Sequence, residues 1–331
     1  MSTVAVVGAT GAVGMELLEV LHERKFPVDE LRLLASSRSA GTVITAAGQD
    51  HEVRLATPDA FDGVDLALFS AGSGTARELA PAARKRGALV VDNSSAFRLE
   101  PDCPLVVPEL NGDAIDGHAG IIANPNCSAI LLTMAIAPLH ASAGLKQLVV
   151  CTYQAVSGAG ARAMDEWERQ EQADAAGETP AAELFPAVIA RNVIPWVQAI
   201  EADGYSTEET KLLLETRRIL DLPDLALSAT CVRVPVRRAH AQAIHASFER
   251  PIAPAAARTA FGGRPGVRVE ENTLPTPRDV AGTDDVVVGR IREDRVFRPG
   301  LALWAVMDQL RKGAALNAVQ IAERAMRIRA R

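Results

Sequence analysis

Cys127 closes the tetrapeptide Asn124-Pro125-Asn126-Cys127 and stands immediately before the apolar stretch Ala129 to Leu139, which places its thiol at or within the first turn of a helix. There the free backbone N–H groups and the helix dipole favour thiolate over thiol, giving a nucleophile near neutral pH. The chain has 4 cysteines, and the others sit in less reactive settings. Cys151 and Cys231 lie in apolar runs and read as small buried hydrophobes, while Cys103, between Asp102 and Pro104, reads as a loop residue. No CxxC pair occurs, so neither a disulfide framework nor a metal site is expected.

A second constellation lies at the start of the chain. Gly8-Ala9-Thr10-Gly11-Ala12-Val13-Gly14 follows a short apolar run and opens a helical pattern, the setting in which a glycine-rich turn aims backbone N–H groups at a pyrophosphate. The spacing is GxxGxxG where the commonest fingerprint is GxGxxG, so by itself the turn is compatible with a plain strand-to-helix connection. Further on, Ser36-Ser37-Arg38-Ser39-Ala40-Gly41 occupies the place where NAD-specific sites carry an Asp or Glu on the ribose 2′-hydroxyl. Arg38 with Ser36 and Ser39 would instead accept a 2′-phosphate, so NADP(H) is expected in preference to NAD; the alternative is an ordinary loop cation.

The elements that must position these groups follow from the apolar pattern. Strand-like runs at Val4 to Val7, Leu31 to Ala35, Leu66 to Ser70 and Leu89 to Val91 alternate with helical patterns at Val13 to His22 and Thr75 to Arg86. Such alternation predicts an α/β, Rossmann-type doubly wound domain whose parallel strands are covered on both faces. Beyond Asn124 the pattern becomes β-rich, with strands expected at Lys146 to Ala155, Ala226 to Val236, Ala243 to Phe248 and Val286 to Ile291. Thr207 to Leu220 reads as a helix opened by Ser206, with Glu209 three residues on. An α+β second domain is therefore expected over 126–311, with 1–125 and a C-terminal helix at 312–331 forming the first. Ala161 to Ala182 is acidic and Ala-rich and reads as a solvated helix and loop; Leu301 to Arg331 has helical apolar spacing and ends among Arg324, Arg327, Arg329 and Arg331, cations that complement a helix C-terminus.

Composition narrows the function classes. The 331 residues are 48% apolar and 23% charged, a folded chain of about two domains. With 35 Lys and Arg against 41 Asp and Glu the formal charge is −6, which supplies no global field for nucleic acid or anionic membrane. The N-terminal sequence lacks a signal-peptide pattern, and Ala129 to Ala141, interrupted by Pro138, is too short to span a bilayer, so a cytoplasmic protein is expected.

The motifs taken together resemble those of the aspartate-semialdehyde dehydrogenase family along nearly the whole chain. The matching segments are GATGAVG at 8–14, ASSRSAG at 35–41, NSSAFR at 93–98, NPNC at 124–127, TYQAVSGAG at 152–160, GYSTEETK at 204–211, TCVRVPVRRAH at 230–240 and LNAVQIAE at 316–323. The resemblance implies a cytoplasmic homodimer that reduces L-aspartyl-4-phosphate with NADPH to the semialdehyde, releasing phosphate, on the route to lysine, methionine and threonine. It also implies that the second domain forms the dimer interface and that the C-terminal helix returns to the nucleotide domain. Residue by residue, it gives the nucleophile to Cys127, a supporting role to Gln154 and the acid/base role to His240. Substrate binding falls to Arg98, Asn126, Glu208, Lys211 and Arg233, with Glu208 on the substrate ammonium, Arg233 on its α-carboxylate, and Lys211, Arg98 and Asn126 on phosphate. Cofactor contacts fall to Gly8, Thr10, Gly11, Ala12, Val13, Gly14, Ser36, Arg38, Ser39, Ser157, Gly158 and Asn317.

The residues themselves support that chemistry. A thiolate can displace phosphate from an acyl phosphate, giving a thioester that accepts hydride and collapses to an aldehyde. Thr230 to Val236 alternates as a strand, placing Cys231, Arg233 and Pro235 on one face, and a buried Arg requires a partner that its planar fork can grip. Against this, Arg233 could be a structural ion pair, and Glu208 with Lys211 an exposed helix pair worth about 0.2–0.5 kcal/mol. His240 is the expected group to take the thiol proton and later protonate the aldehyde oxygen; His245, in an apolar strand, is less suited. Two rival functions are an N-acetylglutamyl-phosphate reductase, whose motif resembles NPGC where Asn126 stands here, and an inactive paralogue kept as a scaffold.

Overall fold

The computed structural model describes residues 2–46 and 48–329, without the side chains of the last two; Arg331 and the Arg329 side chain thus lie outside the described residues. The chain divides into two compact units, Met1–Asn126 with Gly313–Arg331, and Cys127–Lys312.

The first unit runs β1 (Thr3–Val7), α1 (Ala12–Glu23), β2 (Glu30–Ala35), β3 (Val43–Ala46), β4 (Gln49–Leu55), β5 (Leu66–Phe69), α2 (Ser73–Lys85), β6 (Leu89–Asp92), α3 (Pro108–Asn111) and β7 (Ile121–Ala123). Its 7-stranded sheet has the order β3-β4-β2-β1-β5-β6-β7, parallel except for the β3–β4 pair. β5 and β6 are buried at every position, which is why they read in the sequence as unbroken apolar runs. From β1 the chain moves to β2 on one side and later to β5 on the other, so the glycine-rich turn at the C-terminal end of β1 lies where the strand order reverses. That reversal opens a crevice suited to a ligand.

The second unit runs α4 (Cys127–Ala143), β8 (Leu145–Gln154), α5 (Ala161–Ala175), α6 (Thr207–Leu220), β9 (Ala226–Arg233), β10 (His240–Phe248), α7 (Pro254–Ala260), β11 (Val267–Glu270), α8 (Pro277–Val280), β12 (Val286–Glu293) and β13 (Gly300–Met307). Its sheet is mixed, in the order β11-β12-β13-β10-β8-β9. The last helix, α9 (Leu316–Arg329), belongs to the first unit and packs Ala318, Val319, Ile321 and Ala322 into a core with Leu17, Val20 and Leu21 of α1.

Three readings from the sequence are corrected. Residues 300–307, grouped with the C-terminal helical pattern, form the strand β13, paired along its length with β10. Its apolar run carries no helical period of its own, and its burial on both faces explains the misreading. The strand expected to Val236 ends at Arg233, where the Val234 and Val236 segment leaves the ladder and the Val236 carbonyl instead accepts from Val156. The acidic stretch is only partly solvated. Helix α5 buries Ala163, Glu166 and Gln170, and the Glu166 carboxylate accepts the backbone N–H groups of Glu183 and Leu184 at 2.9 and 2.7 Å, fixing the loop that follows.

Candidate active site

In the first unit the glycine pattern is a packing requirement. Gly8 has φ +85° and a Cβ there would meet the Ser70 carbonyl oxygen at 2.5 Å; a Cβ on Gly14 would meet the Gly8 oxygen at 2.2 Å. Only glycine lets β1, β5 and the start of α1 approach so closely. Gly11 caps α1, leaving Ala12 and Val13 in its first turn with N–H groups facing the turn's mouth. Thr10 Oγ1 donates to Ser39 Oγ at 3.2 Å, which joins the glycine-rich turn to the Ser36-Ser37-Arg38-Ser39 loop at the end of β2. Arg38 is exposed there. These features fit an NADP molecule, with its pyrophosphate at the α1 N-terminus and a 2′-phosphate at Arg38.

Arg98 is buried and pinned, its Nε donating to the Asn124 carbonyl at 2.9 Å and its Nη2 to the Asn93 carbonyl at 2.6 Å. Asn126 is buried at the end of this unit. Asn317 donates to the Val106 carbonyl at 2.9 Å and to Asn124 Oδ1 at 2.6 Å, a tie between α9 and the β7 region that accounts for its burial without a ligand.

In the second unit, register gathers the predicted catalytic groups. Gln154 of β8 pairs with Arg233 of β9, and Tyr153 pairs with Ala241 of β10, so Gln154, Arg233 and His240 stand side by side at one end of three neighbouring strands. Cys127 begins α4, half-buried, at the position of greatest N-terminal dipole. Gln154 Nε2 donates to Ser128 Oγ and to Glu208 Oε1, each at 3.0 Å. Glu208 Oε2 accepts from Gln198 at 2.8 Å, and Gln198 Oε1 accepts from Lys211 Nζ at 2.5 Å. The helix pair is therefore not a simple surface pair, since Glu208 is 2% exposed and both groups join a network reaching the nucleophile's helix. The position of α6 is set by its capping box, in which Ser206 and Glu209 bond reciprocally; Glu209 Oε1 also accepts the Cys231 N–H at 2.7 Å.

Arg233 and His240 meet on a single residue. Arg233 Nη1 donates to the Ala155 carbonyl at 2.6 Å, and the Ala155 N–H donates to His240 Nδ1 at 3.0 Å. A Cβ on Gly158 would meet His240 Cε1 and Nε2 at 2.9 Å and Arg233 Nη1 at 3.1 Å, so this glycine keeps open the space before both side chains. Burial, then the adjacent Arg233 charge, holds His240 well below the usual imidazole range. Burial also lowers the Arg233 pKa, opposed by the Glu208 carboxylate. Cys231 is pushed far up, by burial first and then by Glu208, and is inert as a nucleophile. Arg233 also lies over the Phe185 ring, 5.9 Å from its centroid, and lines a cleft of ≈ 470 Å³ with Gly158, Phe185, Ile194, Trp196 and Gln198. Ser157 Oγ accepts from Gln309 at 2.5 Å. His245 lies away from this group, bonded to Asp294.

Sequence reasoning missed Ser128, Gln198, Gln242 and the backbone of Ala155. Gln242 Nε2 donates to the Ser128 carbonyl at 2.8 Å while its own Oε1 is buried without a hydrogen bond. Ser128 is signalled by its place next to Cys127; Gln198, in an irregular loop with φ 70°, has no periodic signal. Among the described residues no cluster of metal-ligating side chains occurs, and no helix is long and apolar enough to cross a membrane.

The comparisons with known proteins agree on one family. A model described as semialdehyde dehydrogenase, NAD binding domain, matches residues 3–118, and one described as semialdehyde dehydrogenase, dimerisation domain, matches residues 136–312. The chain is 50% identical to an aspartate-semialdehyde dehydrogenase of Aquifex aeolicus, covering 97% of this chain and 96% of that protein. It is 42% identical to aspartate semialdehyde dehydrogenase II of Vibrio cholerae in complex with ASA, with TM-score 0.96 and coverage of 99% and 98%. A Candida albicans aspartate semialdehyde dehydrogenase with NADP matches at 25% identity and TM-score 0.76, with 98% of each chain covered. These likenesses support neither the N-acetylglutamyl-phosphate reductase nor the scaffold alternative, and the chain belongs to the aspartate-semialdehyde dehydrogenase family.

Proposed function

We propose that the chain reduces L-aspartyl-4-phosphate to L-aspartate 4-semialdehyde and phosphate, a step of amino-acid biosynthesis, using NADPH. The observation that carries this reading is the convergence of a helix-initial Cys127 with Gln154, Arg233 and His240 at one end of the second unit's sheet. Cys127 attacks the acyl carbon, forming the C–S bond as phosphate departs. Arg233 grips the substrate α-carboxylate with its planar fork, and its anchoring on Ala155 fixes that fork's orientation. Glu208 receives the substrate ammonium, held in place by Gln154 and Gln198. Lys211, held by Gln198, serves the phosphate. When bound by the glycine-rich turn and Arg38, NADPH supplies the hydride that reduces the thioester.

The active assembly in this reading is a homodimer formed through the second unit, consistent with the dimerisation-domain match. It works in the cytoplasm, where the thiol chemistry of Cys127 is kept reduced. The test is phosphate-dependent NADP reduction measured with aspartate semialdehyde, N-acetylglutamate semialdehyde and glyceraldehyde 3-phosphate in parallel. Turnover confined to aspartate semialdehyde is expected; preferential turnover of either other aldehyde would replace this reading.

A further inference from the structure

Arg233 is a buried cation held in place without spending most of its donors. Its backbone is clasped by residues 176–206, the irregular segment that joins α5 to α6: the Ile194 and Arg233 N–H groups donate to each other's carbonyls, each at 2.9 Å. Its side chain gives Nη1 to the Ala155 carbonyl at 2.6 Å, and among the described residues Nε and Nη2 have no hydrogen-bond partner. Those two nitrogens form the edge that an incoming carboxylate can take as a pair. A protein carboxylate bonded there would hold the guanidinium still but occupy the same edge. The Phe185 ring offers a different hold. Arg233 Cζ lies 5.9 Å from its centroid, and the π face attracts the planar charge while leaving the donors at its edge free.

Phe185 is itself fixed from α5. Glu166 and Gln170, four residues apart on that helix, are both buried and share one face. The Glu166 carboxylate accepts the backbone N–H groups of Glu183, Leu184 and Phe185 at 2.9, 2.7 and 3.5 Å. Gln170 Oε1 accepts those of Ile189 and Ala190 at 2.9 and 3.2 Å, while its Nε2 donates to Glu166 Oε1 at 3.0 Å and to the Ala181 carbonyl at 2.9 Å. Burying a carboxylate is costly, and this one is satisfied chiefly by the backbone of the loop that carries Phe185. The two side chains peg residues 181–190 at both ends, and the ring between them seats against Val156, Ala163 and Ile189.

We propose that Phe185 is a positioning residue for the reaction: it holds the plane of the Arg233 guanidinium so that the free edge meets the substrate α-carboxylate, and Glu166 with Gln170 hold Phe185 in turn. This inference deepens the reductase reading above and rests on its assignment of Arg233 to that carboxylate. The acidic stretch after β8 thereby reaches the site through two buried side chains and one ring. A group that acts only through the carboxylate grip shows itself in one constant. Its loss moves the KM for aspartate semialdehyde and spares both the KM for phosphate and kcat.

Steady-state kinetics of the phosphate-dependent reaction test this with two substitutions. Phe185→Leu keeps an apolar side chain without the ring, and Phe185→Tyr keeps the ring. Phe185→Leu is expected to raise the KM for aspartate semialdehyde about three- to thirtyfold, with the KM for phosphate and kcat within about twofold of wild type, while Phe185→Tyr restores the wild-type values. Glu166→Gln, which sets an amide NH2 against the N–H groups of the loop, should raise the same KM alone although Phe185 is intact. Phe185→Met replaces Phe185→Leu in the comparison if the leucine variant does not fold. An unchanged KM for aspartate semialdehyde in the ring-less and Glu166→Gln variants, a rise in both KM values with a matching fall in kcat, or a tyrosine variant as impaired as the ring-less one would overturn the proposal and leave the reductase reading standing. Failure of the wild-type chain to turn over aspartate semialdehyde would overturn the reductase reading and this inference with it.

Discussion

Cys127 and Cys231 carry the same thiol in opposite surroundings. Cys127 begins a helix and is half-buried, whereas Cys231 is fully buried beside Glu208 and Glu209, so burial and negative charge both hold its proton on. Cys103 is buried with its Sγ against the Ile121 carbonyl at 3.5 Å. Alkylation should therefore label Cys127 first, Cys127→Ser should abolish turnover, and rapid-quench mass spectrometry should find the acyl adduct on the Cys127 peptide. An adduct on another cysteine peptide would reassign the nucleophile. Arg38 poses a separate question, because it is exposed and its neighbours are held by the Thr10–Ser39 hydrogen bond, not by Arg38 itself. Arg38→Ala should weaken NADPH binding by about ten- to a hundredfold, the worth of a charge-assisted hydrogen bond, and leave NADH binding nearly unchanged. Equal loss for both cofactors, measured by fluorescence titration, would show that Arg38 does not read the 2′-phosphate.

At the scale of elements, α6 shows how local sequence sets a site. Ser206 and Glu209 bond reciprocally at its start, and Glu208, between them, points into the network of Gln154 and Gln198. Ser206→Ala should cost about 0.5–2 kcal/mol of stability and, by letting the first turn fray, raise the KM for aspartate semialdehyde more than it lowers kcat. Thermal unfolding and steady-state kinetics test the two halves, and an unchanged KM would detach the cap from the site. Elements of this kind were legible because their signals are local. The capping box gave α6, and the wholly buried β5 and β6 gave unbroken apolar runs. The β3–β4 pair escaped because β3 is only four residues long and β4 is largely exposed and polar, and β13 reads with the helical tail because a strand buried on both faces has no period. At the site, its place before an apolar helix located Cys127, while Arg233 and His240 were placed by the family resemblance. The hydrogen bonds that orient them run through Ala155, Ser128 and Gln198, whose roles depend on register and loop path, and no composition rule points to those.

For the whole molecule, the second unit's sheet has an outward face that α8 covers at one end, where Val280 packs with Ala241, Val287 and Val306, and that stays half-exposed along β8. Along β8 the side chains alternate, so Leu148, Val150 and Thr152 are buried while Val149 and Tyr153 remain 39% and 37% exposed. Register carries the patch sideways: Cys151 stands opposite Thr230 and Ala243, Tyr153 opposite Val232, and the Tyr153 ring packs 5.4 Å from that of Trp304. The face is mixed, since Val149 stands between Ser228 and His245, and a second copy of the same half-exposed face can cover it through two-fold symmetry. We propose that the dimer forms through that surface. A charge at its centre would be buried twice in each dimer, at about 3–5 kcal/mol for each uncompensated group. Val149→Asp should accordingly convert the dimer to monomer in light scattering while the far-ultraviolet circular dichroism stays unchanged, since Val149 points away from the core of its own sheet. A variant that remains dimeric would place the interface elsewhere on the second unit.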